Sequence, residues 1–209
     1  DLGSSLVYMS FWLVMMVAGG LPIIVPLVGA VGFALLSPVA WHALASYQKA
    51  RILTFLNPSL DPRGAGYNAV QSMIAVGSGQ LFGRGLGRGT QSHLRFLPEH
   101  HTDFIFATLV EELGLVGGLF LFLLYGMLLW RILSPFLKGF GKTPFVFIYA
   151  MGLFGVLLSQ VFINAGMNMG MIPITGITLP FVSYGGSSIL SLAIAFGLLS
   201  ALMQSTKEG

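Results

Sequence analysis

Residues 145–167 run without one Asp, Glu, Lys or Arg, and that run restricts the fold more than any motif in the chain. About 20 consecutive apolar residues is the length at which an α-helix crosses the hydrocarbon core of a bilayer. Four other stretches have the same character: 6–18 with a short lead-in, 21–44, 104–132 and 181–203. Only 104–132 contains Asp, Glu, Lys or Arg, and Pro22, Pro26 and Pro38 should bend the second. None alternates apolar and polar residues as a transmembrane β-strand does. Charged residues make up 8% of the chain, against about 25% in soluble domains. A soluble fold would have too little polar surface to cover itself. The expected class is an all-α, polytopic transmembrane bundle of about five spans. With no cysteine, neither disulfides nor thiolate metal sites are available.

The connections set the orientation. The end of 104–132 and the loop after it carry Arg131, Lys138 and Lys142 with no acid, and the tail carries Lys207 and Glu208. Basic loops stay in the cytoplasm, which puts the large loop at about 47–103 outside. That loop is itself basic, with Lys49, Arg51, Arg63, Arg84, Arg88 and Arg95 against Asp61, Glu99 and Asp103. Cations gathered on the outer side suit an anionic ligand there, although an ordinary basic loop has the same composition.

Within the loop, residues 47–56 combine Lys49 and Arg51 with Ile52, Leu53, Phe55 and Leu56. They read as an interfacial continuation of the second span, with aliphatic stems in lipid and charged heads near phosphates. Asn57-Pro58 ends that helix, because the residue before proline disfavours α geometry. Turn chemistry at 61–66 leads to a short amphipathic helix at 67–76. Residues 77–91 are glycine-rich. They read either as a flexible linker or as a nest of backbone N–H groups for an anion, with Arg84 and Arg88 adding charge.

Phe96-Leu97-Pro98-Glu99-His100-His101-Thr102-Asp103 then places a carboxylate at the lip of the third span. Charge at a membrane boundary is costly and commonly functional. Asp103 could also cap the helix, and the two roles are compatible. His100 and His101 are adjacent, so they seldom face one metal together; one of them could assist a carboxylate. Glu111 and Glu112 lie about 12–14 Å deeper on a straight helix, beyond the roughly 6.5–9.5 Å between the carboxyls of inverting glycosidases. A structural role fits both better than an acid–base pairing with Asp103. Residues 170–188, apolar but broken by proline and glycine, cannot span lipid as one helix and belong against protein or a cavity.

Asn57-Pro58, 61–67, Gln71-Ser72, 77–91, 96–107 with 111–114, and 179–187 together carry a resemblance to the SEDS (shape, elongation, division and sporulation) family, closest to its elongation branch. Asp1-Leu2-Gly3-Ser4-Ser5 is similar to a further stretch of the family. The resemblance covers essentially residues 1–209 and implies the C-terminal half of a ten-span fold. It implies an inverting peptidoglycan glycosyltransferase that extends glycan strands from lipid II at the outer face of the bacterial inner membrane. Asp103 falls on the family's proposed catalytic aspartate. The expected substrate-binding set is Lys49, Arg51, Arg84, Arg88, Arg95, Glu99, His100 and Ser183. The resemblance also implies a divalent cation, Mg or Mn, with unassigned ligands and no organic cofactor. Expected partners are a class B penicillin-binding protein, lipid II with undecaprenyl-linked glycan, and the membrane, with no nucleic acid. A lipid II flippase or a non-catalytic scaffold is the alternative.

Overall fold

In this computed structural model, which describes residues 2–62, 64–93, 97, 101–139 and 143–208, each apolar stretch of the sequence forms a helix. α1 (Leu2–Ala18) and α2 (Ile24–Ala43) precede α3 (Ser46–Leu56), a 3-10 turn (Pro58–Leu60), α4 (Ala65–Ser78) and the single turn α5 (Thr90–His93). α6 (Ile105–Leu137), α7 (Pro144–Asn168) and α8 (Gly186–Glu208) follow, and no strand occurs among the described residues. Residues 105–137, 144–168 and 186–205 are long and apolar enough to cross a membrane; α1 and α2 are shorter apolar helices.

α7 is the central helix. α1 lies along it, with Gly152 and Gly155 facing Met15 and Val14, and such small residues let two membrane helices approach closely. Beyond Gly155, Val7 packs with Ile163 and with Ile177 from the α7–α8 linker. On the other flank, Ile132, Ala150, Leu153, Leu157, Leu192 and Leu199 join α6, α7 and α8 in one apolar cluster. The outward faces of α6 and α8 remain apolar, with Phe120, Leu123, Met127, Ile194 and Leu198 exposed. That is the surface expected of helices whose solvent is lipid. α2 makes no extended packing contact with another described helix, and Leu27, Val31, Phe33 and Leu35 are exposed along it.

Three boundaries differ from the sequence expectation, each for a local reason. The interfacial stretch 47–56 is a separate helix, because Leu44 is extended (φ −67°, ψ 137°) and ends α2. α8 starts at Gly186 rather than 181, since the preceding linker continues non-helically through Phe181 at φ +62°.

The third difference is the largest. α6 is broken at Gly114 (φ 72°, ψ −171°), and the glycine-rich loop is spliced into the break. Leu115 N–H and Val116 N–H, whose helical acceptors would be the carbonyls of Glu111 and Glu112, donate to Gln80 O (2.8 Å) and Leu81 O (3.1 Å). The carbonyls of Glu111 and Glu112 accept from the N–H groups of Arg84 and Gly85, both at 3.0 Å. Helix polarity is thus conserved by exchange: what the kink leaves unpaired, the loop satisfies. A buried chain break needs this accounting, since an orphaned backbone group costs about as much as a lost hydrogen bond.

A polar junction around Asp103 as the candidate active site

Asp103 sits in the turn just before α6. The N-cap position of that helix falls on Phe104, which has no side-chain hydrogen bond to offer, so Asp103 does not fill it. Three bodies converge on the turn. α4 packs on the start of α6 through Ala75, Phe104 and Ala107 with Ile174 alongside. The α7–α8 linker passes in front, with Gly176 so close that a β-carbon there would lie 3.4 Å from Asp103 Oδ2. From behind, the last turn of α7 donates two amides to the Asp103 carbonyl, Asn164 Nδ2 at 2.9 Å and Asn168 Nδ2 at 3.0 Å.

The same amides tie the junction together. Asn164 Nδ2 also donates to Ile177 O of the linker at 2.7 Å. Asn168 Oδ1 accepts from Ala107 N–H (3.2 Å), and the Ser72 hydroxyl of α4 donates to Asn168 O (2.9 Å) with Asn168 Oδ1 as its longer partner (3.3 Å). Ser72, Asn164 and Asn168 are all 0% exposed, whereas Asp103 is half-buried and His101 exposed. The acid thus stands between a fully buried polar frame and open surface. Further along the linker, Tyr125 of α6 donates its hydroxyl to Pro180 O.

The expected binding residues separate into groups. Arg51, exposed on α3, lines a small cavity of about 40 Å³ with Thr54, Met73, Met167, Gly170 and Ile174. Lys49, half-buried, lies on the same helix. That cavity is walled by the linker segment that continues to Gly176 beside Asp103. Arg84 is elsewhere: its Nη1 donates to Thr90 Oγ1 (3.1 Å), and Thr90 Oγ1 and Gln91 N–H both donate to Glu111 Oε1, at 3.2 and 2.9 Å. Glu111 is fully buried and holds α5 to α6, in keeping with a structural role. Arg88 is exposed in the loop beyond. The nest reading of this loop loses two of its donors, because Arg84 N–H and Gly85 N–H are spent on α6 carbonyls.

Ser183, expected at the substrate, is 5% exposed, and its hydroxyl is engaged within the protein. It donates to Thr102 O (2.6 Å) and accepts from Leu179 N–H (2.7 Å), while Tyr184 N–H donates to His101 O (2.9 Å). Its part is to hold the 101–103 turn against the linker. Arg95, Glu99 and His100 lie outside the described residues. Among the described residues, no group of three or more His, Cys, Asp or Glu is placed to hold a metal. No step below is routed through a divalent cation.

Sequence reasoning missed Ser72, Asn164 and Asn168 as parts of the site. A signal was present for the asparagines: with Gln160 they put three amides at one-turn spacing near the end of a mostly apolar span, where an unpartnered polar group is expensive.

A second cavity, about 790 Å³, opens at the far end of α6 between Arg131, Lys138, Ser200 and Gln204. Its lining residues come only from 128–138 and 196–204, so it is separate from the Asp103 junction.

Helices able to cross a membrane, packed around a buried polar junction beside the half-buried Asp103, define an integral membrane protein of the helical-bundle class. The family model described as "Cell cycle protein" (FtsW/RodA/SpoVE) matches residues 1–208, and the chain belongs to this SEDS family. It is 44% identical over 203 residues to peptidoglycan glycosyltransferase MrdB of Escherichia coli (strain K12), covering 97% of this chain and 54% of the relative. It is 43% identical over 208 residues to stage V sporulation protein E of Bacillus subtilis (strain 168), covering 95% and 53% respectively. Peptidoglycan glycosyltransferase RodA of Treponema pallidum (strain Nichols) is 47% identical over 161 residues, 77% of this chain and 37% of the relative. A solved structure described as "Structural coordination of polymerization and crosslinking by a peptidoglycan synthase complex" superposes with a TM-score of 0.78 at 33% identity, covering all of this chain and 57% of the other. The chain thus spans about half the length of the curated relatives it matches.

Proposed function

We propose that the protein is a peptidoglycan glycosyltransferase that lengthens glycan strands from lipid II at the outer face of the bacterial inner membrane, and that it works in cell elongation. The observation that carries the reading is the half-buried Asp103 carboxyl at the head of a membrane helix, its main chain anchored by buried amides. The relatives in Escherichia coli and Treponema pallidum, both named peptidoglycan glycosyltransferases, support the reaction class. The partner, a class B penicillin-binding protein, is supported by likeness to a peptidoglycan synthase complex.

In the proposed step the Asp103 carboxylate removes the proton from the 4-hydroxyl of the acceptor GlcNAc on lipid II. The oxygen forms its bond to the anomeric carbon of the donor strand as the bond from that carbon to the pyrophosphate oxygen breaks. The electron pair leaves with undecaprenyl pyrophosphate and the proton stays on Asp103. One displacement turns an α linkage into a β linkage, so one base suffices and no covalent intermediate is needed. Charge develops on the departing pyrophosphate, and preorganised cations stabilise such charge best where water is excluded. Lys49 and Arg51, on the helix beside the linker, are assigned to that group; Arg84 and Arg88 act further from the acid.

The direct test is polymerisation of lipid II by the complete protein with its transpeptidase partner, with moenomycin present to suppress unrelated polymerases. Long glycan strands are the expected product; only unreacted lipid II would defeat the proposal. For Arg51→Gln, loss of one charge-assisted contact to phosphate should raise the lipid II KM about tenfold, the lower end of what such hydrogen bonds contribute, because the side chain is exposed. Initial rates across a lipid II titration measure this, and wild-type kinetics would remove Arg51 from the site.

A further inference from the structure

The two asparagines of α7 have no chemistry of their own to offer a glycosyl transfer, yet they occupy the most costly position available for an amide. Both are fully buried in a span whose other buried residues are apolar. A buried amide is tolerated there only if its donors and acceptors are used. Asn168 uses all of them: Nδ2 donates to Asp103 O and to Asn164 O (2.8 Å), and Oδ1 accepts from Ala107 and Ser72. The partners also fix which end of each amide is nitrogen. Asp103 O and Ile177 O can only accept, so the group facing them from Asn164 must be the NH₂.

Two consequences follow for Asp103. The N-cap residue of α6, Phe104, offers no side-chain bond, and Asn168 supplies one from another helix by accepting from Ala107 N–H in the first turn, where backbone donors lack helical partners. The helix start is thereby fixed relative to α7. Second, the Asp103 carbonyl is held by two donors from α7, which restricts rotation about the Cα–C bond because the peptide unit is planar. With the peptide plane fixed, the direction of the Asp103 side chain narrows. The same Asn164 nitrogen also holds Ile177 O, next to Gly176, which flanks the carboxyl. Acid and facing linker are thus tied through one nitrogen atom.

We infer that Asn164 and Asn168 are positioning residues for Asp103, which hold its carboxylate at the linker in the orientation that the proton transfer requires. The inference rests on the glycosyl-transfer reading of Asp103. It predicts a loss in turnover without a loss in substrate binding, because neither amide is aimed at open surface. A purely stabilising pair would instead lower the amount of folded protein and leave each surviving molecule fully active.

The experiment compares wild type, Asn164→Leu, Asn164→Gln, Ser72→Ala and Asp103→Asn in the complete protein with its partner. It measures lipid II titrations together with melting temperature and the fraction of folded protein. Asn164→Leu removes the donors at similar volume. Its kcat, corrected for folded protein, should fall about a hundredfold, the cost of a misplacement of about 1 Å at a reacting group; KM should stay within about twofold. Asn164→Gln keeps an amide and should recover at least about tenfold of that loss, a rescue that packing alone does not give. If Asn164→Leu does not fold, Ser72→Ala still reads the network from α4, with an expected drop in kcat of about threefold at constant KM, as befits one outlying hydrogen bond. Wild-type kcat in the folded variants, or a loss confined to KM, overturns the inference. Asp103→Asn separates the two levels. If it is inactive while the asparagine variants match wild type, only the positioning role fails; if it is active, the reading of Asp103 itself fails.

Discussion

Asp103→Asn should reduce glycan polymerisation to background while leaving melting temperature and partner binding close to wild type. The side chains are nearly isosteric, but an amide oxygen is far too weak a base to take a sugar hydroxyl's proton. General-base catalysis contributes about 10²- to 10⁴-fold to rate, so a loss of at least a hundredfold is expected. Retained folding follows from how the residue is anchored. Asn164 and Asn168 bind its main-chain carbonyl, and the Ser183 and Tyr184 bonds go to the carbonyls of Thr102 and His101. All four contacts survive the substitution. The measurement is strand length and initial rate in a purified lipid II assay, with thermal unfolding of the same samples. Full strand synthesis by the variant would end the base assignment. A large drop in melting temperature would show that the carboxyl serves the fold.

Much of the architecture was readable because the bilayer is a demanding solvent. A run such as 145–167 has few alternatives to a helix, and it forms one from Pro144 to Asn168. The linker before α8 was equally legible, since proline and glycine in an apolar segment imply chain buried against protein; Thr175, Ile177, Leu179 and Pro180 are buried there. What escaped sequence reading depends on partners distant in the chain. Ser72 and Asn168, or Asn164 and Asp103, meet only because α4, α6 and α7 converge, and no local periodicity encodes that convergence. The partners of Ser183 were hidden for the same reason: a serine in a Gly-Gly-Ser-rich stretch looks available until Thr102 and Leu179 are found on its hydroxyl. The glycine-rich loop was the instructive case. Its composition reads as a linker or a nest of backbone N–H groups, and two of those groups, on Arg84 and Gly85, go to the carbonyls of Glu111 and Glu112.

Gly114→Ala should therefore be among the most destabilising substitutions in the chain. At φ 72° and ψ −171° the residue is in a region almost exclusive to glycine, where a side chain costs about 1–3 kcal/mol. A β-carbon would also overlap Gly83 N and Leu81 O, which are backbone atoms and cannot swing aside. Moving the loop away endangers the four hydrogen bonds of the splice, each contributing about 0.5–1.5 kcal/mol. A total loss of about 3 kcal/mol or more is expected, large against the roughly 5–15 kcal/mol that holds a typical domain folded. Gly83→Ala should behave alike, since at φ +77° its β-carbon would strike the Glu112 carbonyl from the other side of the same junction. Gly126→Ala supplies the control within α6, for nothing lies within 4 Å of its would-be β-carbon; it should be neutral. Thermal unfolding in detergent, with limited proteolysis of the 77–91 loop, measures all three. If the Gly114 and Gly126 variants melt together, the loop is not the element that keeps α6 broken. If Gly114→Ala and Gly83→Ala each fall but their double variant falls no further, the two glycines act through one shared contact, as residues on opposite sides of a single splice must.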